Sequence, residues 1–182
     1  MFAAAVPALR DWSDFYVILG SAAGALTGLM FVVVALQSSD TSRRRASVEL
    51  VETYSTPTVV HLASVLFVAA LITTPRHSDL SLALCLAASG AAGTLYSAWI
   101  LVQTRRIDAY HEFLSDWMWR HILPAMGYLG CLVAAPVVFS NADLALYLLA
   151  ASALVMLFAG IHNAWDSAVW ISSDHSDLDG TK

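Results

Sequence analysis

Five apolar stretches, each long enough to cross a bilayer, occupy most of this 182-residue chain. They run Asp14–Gln37, Ser55–Thr74, Ser81–Gln103, His121–Ser140 and Leu144–Trp165. A hydrocarbon core about 30 Å thick takes about 20 residues of helix. In lipid the backbone must satisfy its own polar groups, so runs of this length fold as helices. The expectation is an all-α membrane protein. It is a bundle of five transmembrane helices plus one cytoplasmic interfacial amphipathic helix. Residues 1–171 form a single membrane domain, and residues 172–182 form a disordered acidic tail carrying Asp174, Asp177 and Asp179.

Composition agrees. Hydrophobic residues make up 58% and charged residues 13%, against roughly 45–50% and about 25% in soluble domains. The excess is concentrated in blocks, as membrane spans require. The segment Met1–Ser13 has no basic residue before an apolar core, so it reads as a short tail rather than a cleavable signal. No basic patch suggests nucleic acid. Cys85 and Cys131 both fall inside spans and read as packing thiols, not disulfide partners.

Arg and Lys in short loops set orientation. Arg43, Arg44 and Arg45 separate spans one and two, and Arg105, Arg106 and Arg120 separate spans three and four. The second connection holds only Arg76, and the fourth holds no basic residue. The first and third connections therefore face the cytoplasm, with the N-terminus outside and the C-terminus inside. Span four, with Pro124, Pro136 and a basic start, is the weakest of the five.

Span one carries Gly20, Gly24 and Gly28 at four-residue spacing, a glycine-zipper pattern that lets helices approach closely. Span three is rich in small residues from Ala87 to Gly93. Gly90 and Gly93 make it the expected partner for that glycine face. Span two opens Ser55-Thr56-Pro57-Thr58, a hydroxyl cap with proline in the first turn, and stops at Pro75. Between spans three and four, Ile107, Tyr110, Phe113, Leu114 and Trp117 recur at three- and four-residue spacing among charged neighbours. Residues 105–119 thus read as the interfacial helix, anchored by Tyr110, Phe113, Trp117 and Trp119.

Ionisable residues within a membrane are costly and are functional candidates by default. The candidate polar cluster here is His61, His121, His162, Asn163 and Asp166, all near the cytoplasmic ends of their spans. His162 and Asp166 are four residues apart and share a helix face. Three roles stay open for the cluster. It can lock spans together by hydrogen bonds, sense a proton or ligand at the mouth of a conduit, or bind metal or haem through His61 and His162.

Catalytic signatures are missing. The one lysine, Lys182, ends the sequence. His111-Glu112-Phe113-Leu114-Ser115 lacks the second histidine of a zincin motif. There is no Gly-x-Ser-x-Gly elbow and no Cys-x-x-Cys pair. No catalytic residue, metal or cofactor is expected.

Several stretches resemble a group of small, functionally uncharacterised multi-span bacterial membrane proteins. They are Phe15–Gly28 with Leu29-Met30-Phe31-Val32-Val33, Thr56-Pro57-Thr58-Val59-Val60-His61, and Asp116-Trp117-Met118-Trp119 with Ile122-Leu123-Pro124. The most specific is Gly160-Ile161-His162-Asn163-Ala164-Trp165-Asp166. The resemblance implies a bacterial inner-membrane setting and carries no activity.

Function is expected in one of three classes. The first is a homo-oligomeric, channel-like conduit with the histidine cluster at its cytoplasmic mouth. The second is a non-catalytic structural, sensory or accessory subunit that docks a protein partner at the cytoplasmic face. The third is a haem- or metal-binding redox protein. In all three the lipid bilayer is the first partner.

Overall fold

A computed structural model describes residues 7–38, 55–105 and 117–179. Among these residues the chain is helical, with no strand. A short 3-10 turn, Pro7–Arg10, leads into α1 (Ser13–Ser38), α2 (Thr56–Thr73), α3 (Asp79–Thr104), α4 (Leu123–Val137) and α5 (Ala142–Asp179). One π-helical turn, Met118–Ile122, precedes α4. Helices α1, α2, α3 and α5 are long and apolar enough to cross a membrane. Helix α4 has 15 residues and carries Pro136 in its last turn. The helix of span five runs on to Asp179, into the segment read as a disordered tail. Once a helix is nucleated, each added residue extends it at little cost.

The starts and stops have local causes. Pro57 lies in the first turn of α2, where its missing N–H is no loss. Ser55, expected as a hydroxyl cap there, is itself in helical geometry and makes no side-chain capping bond. The true cap lies at α3. The Ser78 side chain accepts from the Ser81 backbone N–H, and the Ser81 side chain accepts from the Ser78 N–H.

Helix α1 packs on α2 and more lightly on α5; α5 packs on α2 and α4; α4 packs on α3. Helices α2 and α3, joined by a short turn, touch each other little. The core runs through Tyr16, Leu62, Leu82, Leu86, Leu149 and Met156, all fully buried. The outside is just as apolar: Ile18, Phe31, Leu84, Leu95 and Phe158 are exposed. A soluble protein hides such a surface, whereas in a bilayer it is solvated by acyl chains.

Glycines set the helix contacts, but not in the pairing expected. A Cβ on Gly20 would stand 2.8 Å from the Ala69 Cβ of α2, while one on Gly28 would meet nothing within 4 Å among the described residues. The glycine face of α1 is thus used by α2 at one end and stays open at the other. The small-residue face of α3 does not meet it. A Cβ on Gly90 would come within 2.7 Å of the Leu132 backbone nitrogen, and one on Gly93 would collide with the Tyr128 ring, both on α4. Small residues mark close approach without naming the neighbour. The long third connection leaves α3 free to pair with the helix that follows it.

Candidate functional site

The polar residues form two hydrogen-bonded groups at one end of the bundle. Their common level follows from α2 and α5, where Leu62, beside His61, packs against Gly160, two residues before His162.

The first group joins α2 to α4. His61 Nδ1 lies 2.9 Å from the Tyr128 hydroxyl. The Ser64 hydroxyl lies 3.0 Å from that same oxygen and donates to the Val60 carbonyl at 2.8 Å. Each hydroxyl has one proton to give. If Ser64 gives its proton to Val60, Tyr128 must donate to Ser64. His61 must then donate from Nδ1 to Tyr128. This assignment satisfies all three contacts and leaves His61 Nε2 as an acceptor. Tyr96 of α3 stands edge-on to the His61 ring, with centroids 6.3 Å apart. Its hydroxyl is buried and has no hydrogen-bond partner among the described residues.

The second group joins α5 to the π turn. Trp119 stacks flat on His162, with centroids 4.3 Å apart and planes 3° from parallel. His162 Nδ1 lies 3.2 Å from Asp166 Oδ2, and both side chains are partly exposed. Asn163 is buried and its amide donates to the Trp119 carbonyl at 3.3 Å. The π turn explains why that carbonyl needs a donor. The Leu123 N–H reaches back five residues to Met118. Continuing that register would bond Trp119 to residue 124, which is proline and has no N–H. Asn163 fills the vacancy.

His121 is buried in the same π turn, its ring 5.9 Å from that of Trp117. The Arg105 guanidinium lies 5.8 Å from the Trp117 ring, tying the end of α3 to the start of α4. Of the four expected interfacial anchors, Tyr110 and Phe113 lie outside the described residues. Trp117 and Trp119 are half-buried and pack against the bundle.

Beside the first group, α2 and α3 part to leave a half-open cleft of about 480 Å³. Its rim carries the exposed Ala63, Phe67 and Ala92, and its floor the buried Tyr128, Cys131 and Met156. Among the described residues none that lines it is charged.

By hydrogen bonding the expected polar residues fall into two groups, with His121 close enough to His61 for the two rings to interact electrostatically. His61 belongs with Tyr128 and Ser64, and His162, Asn163 and Asp166 belong with Trp119. His61 and His162 share no hydrogen bond. No three of the described His, Cys, Asp or Glu residues converge as a metal-ligand set. The sequence reading passed over Ser64, Tyr96 and Tyr128. One signal was present: Ser64 follows His61 by three residues, on the same helix face.

Compared with protein-family models, with curated proteins and with solved structures, the chain matches none.

Proposed function

We propose that this chain is a multi-pass protein of the bacterial inner membrane, N-terminus outside and C-terminus in the cytoplasm, that acts as a non-catalytic sensory or accessory subunit. The observation that carries this reading is Tyr128. It sits on the floor of the half-open cleft and also holds His61 and Ser64 of α2. A ligand entering the cleft would press on the residue that couples α2 to α4. Helix α4 begins in the π turn, whose carbonyl α5 completes and whose Trp117 meets Arg105 of α3. Occupancy thus has a short mechanical path to the cytoplasmic connection of residues 106–116, where the sequence predicts an interfacial helix that a partner could meet.

The test is co-purification of a protein partner from the native membrane. A double variant, Phe113→Ala with Trp117→Ala, should lose the partner while keeping its helical content. Unchanged co-purification would count against the reading.

A homo-oligomeric conduit is the second reading. It is favoured by the open end of the α1 glycine face, where a Cβ on Gly28 would meet no described residue and Leu29, Phe31 and Val32 are exposed. A protein that stays monomeric in gentle detergent and gives no liposome flux would remove it.

A further inference from the structure

We infer that the cleft between α2 and α3 binds a neutral membrane amphiphile, one whose polar end carries a carbonyl oxygen and whose remainder is apolar. This rests on the sensory reading above and names the chemistry of its ligand.

Several observations lead there. The cleft, about 480 Å³, falls within the range of about 300–1,000 Å³ typical of small-molecule sites. Its rim residues are on the apolar outer surface of the bundle, so it opens sideways toward lipid rather than toward water. An apolar lining offers water too few hydrogen bonds to hold it. An apolar chain entering from the bilayer has no such need.

The polar end is specified by one orphan. Tyr96 lines the cleft and its buried hydroxyl has no partner among the described residues. A phenolic proton shut away from water without an acceptor is unfavourable, and more so in lipid. The hydroxyls nearby are already committed. In the assignment above, Ser64 gives its proton to Val60 and Tyr128 gives its own to Ser64. Tyr96 is thus the hydroxyl here with a proton still to donate, and it asks for an accepting oxygen.

Charge decides between classes of amphiphile. Tyr96 lies about 12 Å along α3 from Thr104, at 1.5 Å per residue. A phosphate head drawn to that depth would be buried in a cleft with no cation among its described lining residues. A ketone or ester head suffers no such penalty. Two kinds of membrane molecule share this chemistry: isoprenoid quinones, through a ring carbonyl, and diacylglycerols, through an ester carbonyl.

The experiment uses the full chain in detergent and in nanodiscs, probed separately with decyl-ubiquinone, a diacylglycerol and phosphatidylglycerol. Native mass spectrometry and thermal-shift titration read binding. At least one neutral probe should be retained and raise the unfolding temperature, with phosphatidylglycerol at least tenfold weaker. Binding of the quinone alone assigns a ring carbonyl, and of the diacylglycerol alone an ester. Tyr96→Phe should weaken that binding about tenfold, or about 1.4 kcal/mol, while the unliganded protein stays as stable as before. Ala92→Trp, which fills the exposed rim, should abolish it.

Three results would overturn the inference. They are neutral probes bound no tighter than phosphatidylglycerol, Tyr96→Phe binding as tightly as the parent, and a dimer that covers the cleft and excludes every probe. The two proposals fail separately. Partner capture that survives without any neutral-probe binding ends this inference alone. Neutral-probe binding with unchanged capture by the Phe113/Trp117 variant ends the docking reading alone.

Discussion

Asn163 donates to the Trp119 carbonyl the hydrogen bond that Pro124 cannot. The two residues are 44 apart in sequence, on α5 and in the π turn before α4, and the bond fixes where α4 begins. A side chain from one helix completes the backbone of another. In lipid, where water cannot fill the gap, that completion matters more than the 3.3 Å distance alone suggests.

The pair yields a double-mutant cycle. Asn163→Leu leaves a buried carbonyl without a donor and should lower stability by about 1–2 kcal/mol. Pro124→Ala restores an N–H at the position the π register requires. In that background Asn163→Leu should lose at least half its effect. Reversible unfolding in mixed micelles measures all four proteins, and equal penalties in both backgrounds would refute the assignment.

A second cycle concerns His61 and Tyr128. Tyr128→Phe removes the hydroxyl that both His61 and Ser64 hydrogen-bond. Bonds between helices in lipid average about 0.6 kcal/mol, so the loss of two should cost about 1–2 kcal/mol. His61→Ala should add little on top of it. Fully additive penalties would mean that the two side chains are not coupled.

Glycine substitutions should separate intrachain packing from self-association. Gly90→Ala forces a methyl against the Leu132 backbone and should cost about 1–3 kcal/mol, as overpacking does. Gly28→Ala meets no described residue and should fall within about 0.5 kcal/mol of neutral. Gly28→Leu should leave the fold intact and lower any oligomer seen by native mass spectrometry. An unchanged oligomer would place the self-contact elsewhere.

Orientation is open to cysteine labelling. With Cys85 and Cys131 replaced by Ala, a membrane-impermeant maleimide added to spheroplasts should reach Ser78→Cys and Asn141→Cys. Arg105→Cys should react only after permeabilisation. The reverse pattern would invert the topology.

The element plan was legible because lipid imposes it. Long apolar runs must be helices, and the ends fell near Pro57, Pro75 and the polar turn Ser140–Asn141. Neighbours were not legible. In a soluble helix the apolar stripe points inward. Here Leu66 and Leu95 are exposed while Leu62 and Leu86 are buried, and composition cannot tell them apart. For the same reason Gly90 and Gly93 announced a close contact but not its partner. The glycines that fix α4 on α5, Gly127 against Met156 and Gly130 against Ser152, gave no periodic signal to notice. Tyr96 and Tyr128 escaped because a tyrosine in a span reads as bulk, and its hydroxyl acquires meaning only when His61 and Ser64 are placed beside it.

The 15 residues of α4 continue the five of the π turn Met118–Ile122 without a break, and together they are about what a hydrocarbon core of about 30 Å takes. The two neighbours of α4, α3 and α5, overreach that thickness. A helix too short for its bilayer draws the lipid leaflets inward, at fractions of a kcal/mol per ångström. Without the π turn, α4 alone would be about 23 Å long and would be such a helix. Because Tyr128 and Cys131 of α4 line the floor of the cleft, the π turn that gives α4 its span also sets the length of the helix on which that floor rests.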